Sequence, residues 1–431
     1  MILDFDYLLL NIILLAIYVL AGYNISRKGN FWASAWPCII AFTSIMGSRY
    51  MRGNDYPHYC EVYAYDEEPS QRLFTAFNQF LRWMGVGRHY FYYFYSFIFA
   101  YCSMFFLKRF RRFSLYMFPL FLIAYISFDE FMIRQALSYS FVFLYLIELF
   151  SIRLEDSSSR KDKKKVLLRK KHSLNELKGE GVPKSRRVSP NKKETSMRKY
   201  FSLLFASENF SHFFYCIFFA SIVISIHVAN VLVLVLVTFF YLFVKRPVPF
   251  YVSFPMLIIA TYLFNVFFDF SYLNPVLDML TGQDEKLDNY TENSDVWFDE
   301  EGKDDKYTRN PIVLIFELLG SGTLFYYGYK IIKYVRKNDR ISCTFFNVYV
   351  FGTIFINAFR NLEILNRVGY VYQLFWFYPL CLVLFYFPKM HFSILRKLSM
   401  FFLLFFLYSY LKYLFFKEGG MALFQWDSTY W

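Results

Sequence analysis

The chain has 431 residues, of which 57% are hydrophobic, 24% aromatic and only 19% charged, with a formal net charge of +13. An ordinary soluble domain is about half apolar and about a quarter charged. Here the apolar residues also gather in long uninterrupted blocks, which excludes a soluble globular enzyme, a disulfide scaffold and a disordered chain. The positive charge falls on one set of connections between those blocks, which points to membrane orientation and away from nucleic acid as a partner.

A helix that crosses the hydrocarbon layer needs about 20 mainly apolar residues, and its backbone must satisfy itself inside lipid. In chain order the candidates are 7–24, 31–47, 90–107, 114–128 and 135–151. The stretch 210–244 is too long for one crossing and reads as two, broken at His227. Residues 248–268, 311–332, 343–359, 369–387 and 399–416 supply the rest. The expectation is an all-α polytopic membrane protein with about twelve spans. Its parts are residues 1–151, a basic connection 152–199, and residues 200–431.

Alternate connections hold most of the 47 Lys and Arg residues: Arg27 and Lys28, the KRFRR run 108–112, the segment 152–199, Lys245 and Arg246, 330–340, and Lys389 to Lys397. Basic loops stay cytoplasmic, so both termini are expected outside. Residues 152–199 lack apolar periodicity and read as a disordered cytoplasmic loop, either a tolerated insertion or a patch for anionic headgroups. The N-terminus carries Asp4 and Asp6, with Arg27 and Lys28 after the apolar run, which is not the pattern of a cleaved signal. Five cysteines (Cys38, Cys102, Cys216, Cys343, Cys381) lie in apolar runs and Cys60 in an outer loop. No ligand-type spacing suggests a disulfide framework or a metal.

Three outer segments remain: 48–89, the acid-rich 269–310, and 360–368. Arg49 and Arg52 follow the second span, and Gly53, Asn54, Asp55 and Pro57 suggest a turn at the surface. Arg134 opens the fifth span beside Asp129 and Glu130, where a helical Arg usually faces a partner or a cavity. His227 marks the break between the sixth and seventh spans, and its protonation is easily tuned. Arg360 and Arg367 flank the last outer loop. Each has a bland alternative: a snorkelling cap for Arg49 and Arg52, a surface pair with Glu130 for Arg134, a satisfied structural histidine for His227, and interface anchors for Arg360 and Arg367. Together they place several guanidiniums at one face, on the ends of different helices. Fixed guanidiniums suit a phosphate or diphosphate headgroup through planar bidentate donation. Asp55 is suited to accept a proton from a sugar hydroxyl.

The stretches Arg49 with GNDYPHY at 53–59, FMIRQALSYSF at 131–141, SIHVANVLVL at 225–234 and NRVGYVYQLFW at 366–376 occur in order at outer helix edges. In this the chain resembles the EpsG family of bacterial exopolysaccharide and capsule proteins, close in role to Wzy-type O-antigen polymerases. It departs from that family in the long basic loop and in Asp55-Tyr56 where the family usually has Asp-Thr. The resemblance implies an enzyme in the bacterial inner membrane that joins undecaprenyl-diphosphate-linked oligosaccharide repeats, with no cofactor and with a separate chain-length regulator. It implies that Arg49, Arg52, Arg134, Arg360 and Arg367 hold lipid diphosphate, and that Asp55 or His227 acts as base. Tyr56, Tyr59, Tyr370 and Tyr372 would stack on sugars. A flippase for the same lipid-linked sugars, or another membrane glycosyltransferase or ligase, is the alternative. A flippase should show internal repeats and charges deep inside its helices, and neither is evident.

Overall fold

The computed structural model describes residues 2–3, 5–50, 56–65, 72–152, 207–264, 311–337, 339–359, 363–389, 394–417 and 422–423. Apart from short two-residue strands these are helices and tight turns. The helices are α1 (Phe5–Ser26), α2 (Phe31–Gly47), α3 (Tyr56–Tyr65), α4 (Arg72–Trp83) and α5 (Phe91–Lys108). Next come α6 (Ser114–Phe131), α7 (Ile133–Leu149), α8 (Ser207–Ile226), α9 (Val231–Phe243) and α10 (Phe250–Ile258). The last five are α11 (Pro311–Lys330), α12 (Arg340–Ala358), α13 (Glu363–Gln373), α14 (Phe377–Tyr386) and α15 (Ile394–Phe415). Each apolar stretch anticipated from hydropathy is largely helical over its described residues, and 210–244 breaks at His227.

Five of these segments are long and apolar enough to cross a membrane: Phe5–Ser26, Asn209–Ile226, Pro311–Val335, Arg340–Ala358 and Val368–Tyr386. Phe31–Gly47, Val228–Phe243 and Phe250–Tyr262 are shorter apolar helices. Leu20, Ile40, Val235 and Leu404 project outward and exposed. Apolar surface spread this widely along helices is a poor fit to water and a good fit to lipid. Apart from the short strands and turns the described residues are helical, and their apolar helices mark the protein for a membrane.

Two departures from expectation concern the connections. Segment 48–89 was expected as an outer loop, yet its described residues form α3 and α4. Pro57 stands in the first turn of α3, where its missing N–H costs nothing. Loop 360–368 was expected to precede a span at 369. Helix α13 instead begins at Glu363, so Arg367 lies within a helix. The basic segment 153–199 and the acid-rich segment 269–310 lie outside the described residues.

Two compact units divide the chain: Met1–Leu144 with Ala220–Trp431, and Tyr145–Phe219. In the smaller unit, His212 Nδ1 lies 2.6 Å from Glu148 Oε2. In the larger one, polar side chains close the joins between helices. Asn30 caps α2 by accepting from Trp32 N and Ala33 N at 3.0 and 3.3 Å, the ordinary N-cap role. Buried Asn347 donates to Arg246 O (3.0 Å) and accepts from Val248 N (2.8 Å). Arg340 donates to Tyr241 O and Leu242 O at the end of α9 (3.0 and 3.3 Å). Both serve backbone groups that a low-dielectric surrounding would leave costly.

Contacts gather the basic turns at one end. Arg111 reaches Gly29 O at 3.2 Å, Arg336 lies over Phe113 and Arg112 over Phe385, and Arg396 donates to Phe387 O. The start of α1 meets the end of α15, since Ile2–Leu3 pairs antiparallel with Phe416–Lys417. Arg49–Tyr50, after α2, pairs likewise with Ala422–Leu423.

Aromatic rings fill the space between helices. Phe121 and Tyr125 stack on each other at 4.6 Å, and each meets Phe143 and Phe377 edge-on or tilted at 5.4–5.9 Å, both favoured ring geometries. Close helix approach occurs at Gly352, where an added Cβ would lie 2.5 Å from Tyr372 Cβ and 2.6 Å from Gln373 N. Backbone cannot yield there as a side-chain tip can. We expect Gly352→Ala to lower the thermal midpoint of detergent-solubilised protein by the equivalent of about 1–3 kcal/mol, the usual cost of overpacking. Gly87→Ala, whose Cβ would meet only the Tyr90 ring at 3.3 Å, should leave the midpoint in place. Equal midpoints for both variants would refute the close contact.

Candidate functional site

Helix α7 organises the candidate site. Its first residues carry Arg134 and Gln135, and hydrogen bonds join it to three other elements. Gln135 Nε2 donates to Asn230 Oδ1 at 3.3 Å, and Asn230 Nδ2 returns to Gln135 O at 3.5 Å. One turn on, Ser138 Oγ donates to Val223 O at 3.1 Å. These bonds tie the start of α7 to the end of α8 and to the break at His227. On another side, Tyr139 Oη donates to Val371 O of α13 at 3.1 Å.

The His227 break is built locally. His227 N closes α8 on Val223 O at 2.9 Å, and Asn230 N bonds His227 O at 3.1 Å. The backbone at His227 is extended, and a single turn at Val228–Asn230 leads into α9. The half-buried imidazole therefore sits at a fixed joint between helices.

Helices α3 and α4 complete the surroundings. Tyr56, Tyr59, Cys60 and Tyr63 of α3 share a core with Phe74 and Leu81 of α4, Phe91, Tyr92 and Tyr95 of α5, and Ile133, Leu137 and Ile226. The Arg134 guanidinium carbon lies 5.8 Å from the Tyr59 ring centre and 5.9 Å from that of Phe74, within cation–π range. The side chain is thereby turned toward α3 and α4. Ring faces hold the cation from one side, and its planar N–H edge is what a phosphoryl oxygen recognises.

The other anticipated residues divide into three groups. Arg52, Asp55 and Arg360 lie outside the described residues. For Arg49 and Arg367 the backbone alone is described. Arg49 lies in the strand paired with Ala422–Leu423, and Arg367 is on α13, one turn before Val371. Arg134 precedes Tyr139 on α7 by about 7.5 Å of helix, and Arg367 precedes Val371 by about 6 Å, at 1.5 Å rise per residue.

Three of the four tyrosines read as sugar platforms are buried. Tyr56 is 3% exposed and Tyr372 4%, because their faces are already occupied. Tyr56 stacks on Tyr92 at 4.8 Å with its hydroxyl 2.9 Å from His89 Nδ1. Tyr372 packs edge-on against Phe351 at 5.6 Å. Tyr59, 8% exposed, backs Arg134. Tyr370 alone of the four keeps intermediate exposure.

Sequence reasoning missed Gln135, Asn230 and Arg82. The first two stand inside quoted motif stretches, and a pair of amides in apolar surroundings is a signal for mutual bonding. Arg82 donates to Tyr63 O and Ala64 O at 2.8 and 2.9 Å, fastening α4 to the carbonyl end of α3. No sequence pattern announced that contact. No protein-family model, curated protein or solved structure matches the chain.

Cys60 gives a direct check on this packing. Burial pushes its thiol up to about 11, a rise partly offset by the Tyr56 hydrogen bond and the Arg88 charge. A thiol held above its ordinary value stays neutral at pH 8, and the thiolate is the reactive form. Native protein should leave Cys60 unlabelled by a water-soluble maleimide at pH 8, and unfolded protein should label it. Rapid native labelling would refute the packed core.

Proposed function

We propose that the chain is a multi-pass polymerase of the EpsG and Wzy kind. In this reading it has about twelve spans and both termini outside, in the bacterial inner membrane. It joins undecaprenyl-diphosphate-linked oligosaccharide repeats at the outer face, for capsule, O-antigen or exopolysaccharide. The observation that carries the reading is Arg134, held over Tyr59 and Phe74 at the first turn of α7. Further along α7, Tyr139 donates to Val371 O, one turn after Arg367 on α13. A cation fixed at a helix end near the apolar boundary suits an anionic lipid headgroup better than a soluble substrate.

The reaction needs little from the protein beyond charge and position. The donor sugar's bond from C1 to the diphosphate oxygen breaks, and both electrons leave with the diphosphate. An acceptor hydroxyl oxygen forms the new bond to C1 and gives its proton to a base, for which Asp55 and His227 are the candidates. Negative charge grows on the leaving diphosphate, so guanidiniums already in place stabilise the transition state without reorganisation. Arg49, Arg52, Arg134, Arg360 and Arg367 are the candidate cations. Gln135, Asn230 and Ser138 keep the start of α7 in register with the His227 joint.

Arg134→Lys keeps the charge and loses the fork. We expect it to cut polymer formation by about 10²- to 10³-fold, the scale of losing one donor to a developing anion, at unchanged protein level. Purified protein in liposomes, supplied with lipid-linked repeats alone, should yield dimers and longer chains on gels. Repeats moved between leaflets but never joined would instead identify a flippase.

A further inference from the structure

Helix α4 has three faces where a water-covered loop helix needs two. At about 100° per residue, Phe74, Asn78 and Leu81 fall together, and all three are buried. Phe74 and Phe77 pack on Tyr95 of α5 at 5.8 and 5.5 Å, and Tyr95 Oη donates to Asn78 Oδ1. Arg72, Thr75, Gln79 and Arg82 form a polar strip on a second side. Leu73, Ala76, Phe80 and Trp83 form an apolar strip on the third. Leu73 is 38%, Phe80 48% and Trp83 81% exposed, with the Phe80 and Trp83 rings stacked at 6.0 Å.

The neighbouring helices show what covers that strip. Helix α3 belongs to the same segment and exposes Pro57, His58, Glu61 and, at its end, the hydroxyl-bearing Tyr65, a mostly polar face suited to water. It is fastened to the polar side of α4 through Arg82. On α5, the residue α4 packs against is Tyr95, about 6 Å from the helix start. Phe94 and Phe97, on either side of Tyr95 in sequence, are exposed apolar rings. The apolar strip of α4 is therefore level with an outward apolar flank of a bundle helix. A helix with a polar strip, an apolar strip and aromatic anchors is built to lie in a membrane interface.

We infer that α4 is an interfacial helix, with Leu73, Ala76, Phe80 and Trp83 set into the boundary between headgroups and acyl chains. Arg72, Thr75, Gln79 and Arg82 face headgroup and water, and α3 lies on the aqueous side. The occupant of the strip is lipid. This inference does not depend on the polymerase reading, since it rests only on the exposure of α3, α4 and α5.

The test uses the full chain in liposomes, with a nitroxide label at Phe80→Cys, Leu73→Cys or Glu61→Cys. The six native thiols are buried, and labelled wild type gives the background. Collision with oxygen, which concentrates in lipid, is compared with collision with a water-soluble nickel chelate. At Phe80→Cys and Leu73→Cys the ratio of oxygen to nickel collision should exceed that at Glu61→Cys. Nickel-dominated collision at both α4 positions would overturn the inference. Protection of both positions from both reagents would also overturn it, because a second copy of the chain would then cover the strip. Leu73→Cys keeps the test decisive should Phe80→Cys fail to fold.

Discussion

Backbone amides near lipid must find their hydrogen bonds within the protein, and this constraint shapes several of the described joins between helices. An α-helix satisfies its interior and leaves several groups unmet at each end. In water those groups are solvated. Near hydrocarbon they need side chains, and the chain supplies them at fixed points. Asn347 serves both a carbonyl and an N–H of the connection after α9, and Arg340 serves the last carbonyls of α9 itself. Asn11 of α1 reaches Leu414 O of α15 at 3.0 Å, and Ser114 reaches Gly22 O at 2.9 Å. The same solution recurs around the candidate site, where Gln135, Asn230 and Ser138 hold the start of α7 against the end of α8. The amide pair of Gln135 and Asn230 also fixes where its neighbours stand, and Arg134 is the residue beside it.

The heavy aromatic content is the second determinant. Rings pack well edge-on and tilted, and they exclude water without long flexible stems. Around α3 they do more than fill space. Tyr59 and Phe74 offer faces to a guanidinium, while Tyr56, Tyr92 and His89 occupy one another. Tyrosines that look available in a one-dimensional motif are consumed by this mutual packing, and the cation is left as the chemically distinctive group.

The apolar helices and the break at His227 were legible in the sequence because hydropathy over a long window is a strong, local signal. The gathering of basic turns was legible from the Lys and Arg residues they carry. Helices α3 and α4 were not, since they are short and mix polar with aromatic residues. Their burial depends on α5 and α7, which no local pattern reveals. The early start of α13 was hidden by its polar first turns. Within the candidate site, Arg134 could be singled out as a cation opening an apolar helix. Its ring partners could not, because Tyr59 and Phe74 lie far away in sequence. The burial of Tyr372 likewise depends on Gly352 admitting the backbone of α13.

That glycine has a further consequence. At Gly352 the facing strands of main chain come so near that not even one methyl group fits between them. An acyl tail is no narrower than a methyl, so at Gly352 the seam joining α12 to α13 is closed to anything carried on a long hydrocarbon. Whatever enters sideways from the bilayer must find its doorway along another flank of the protein.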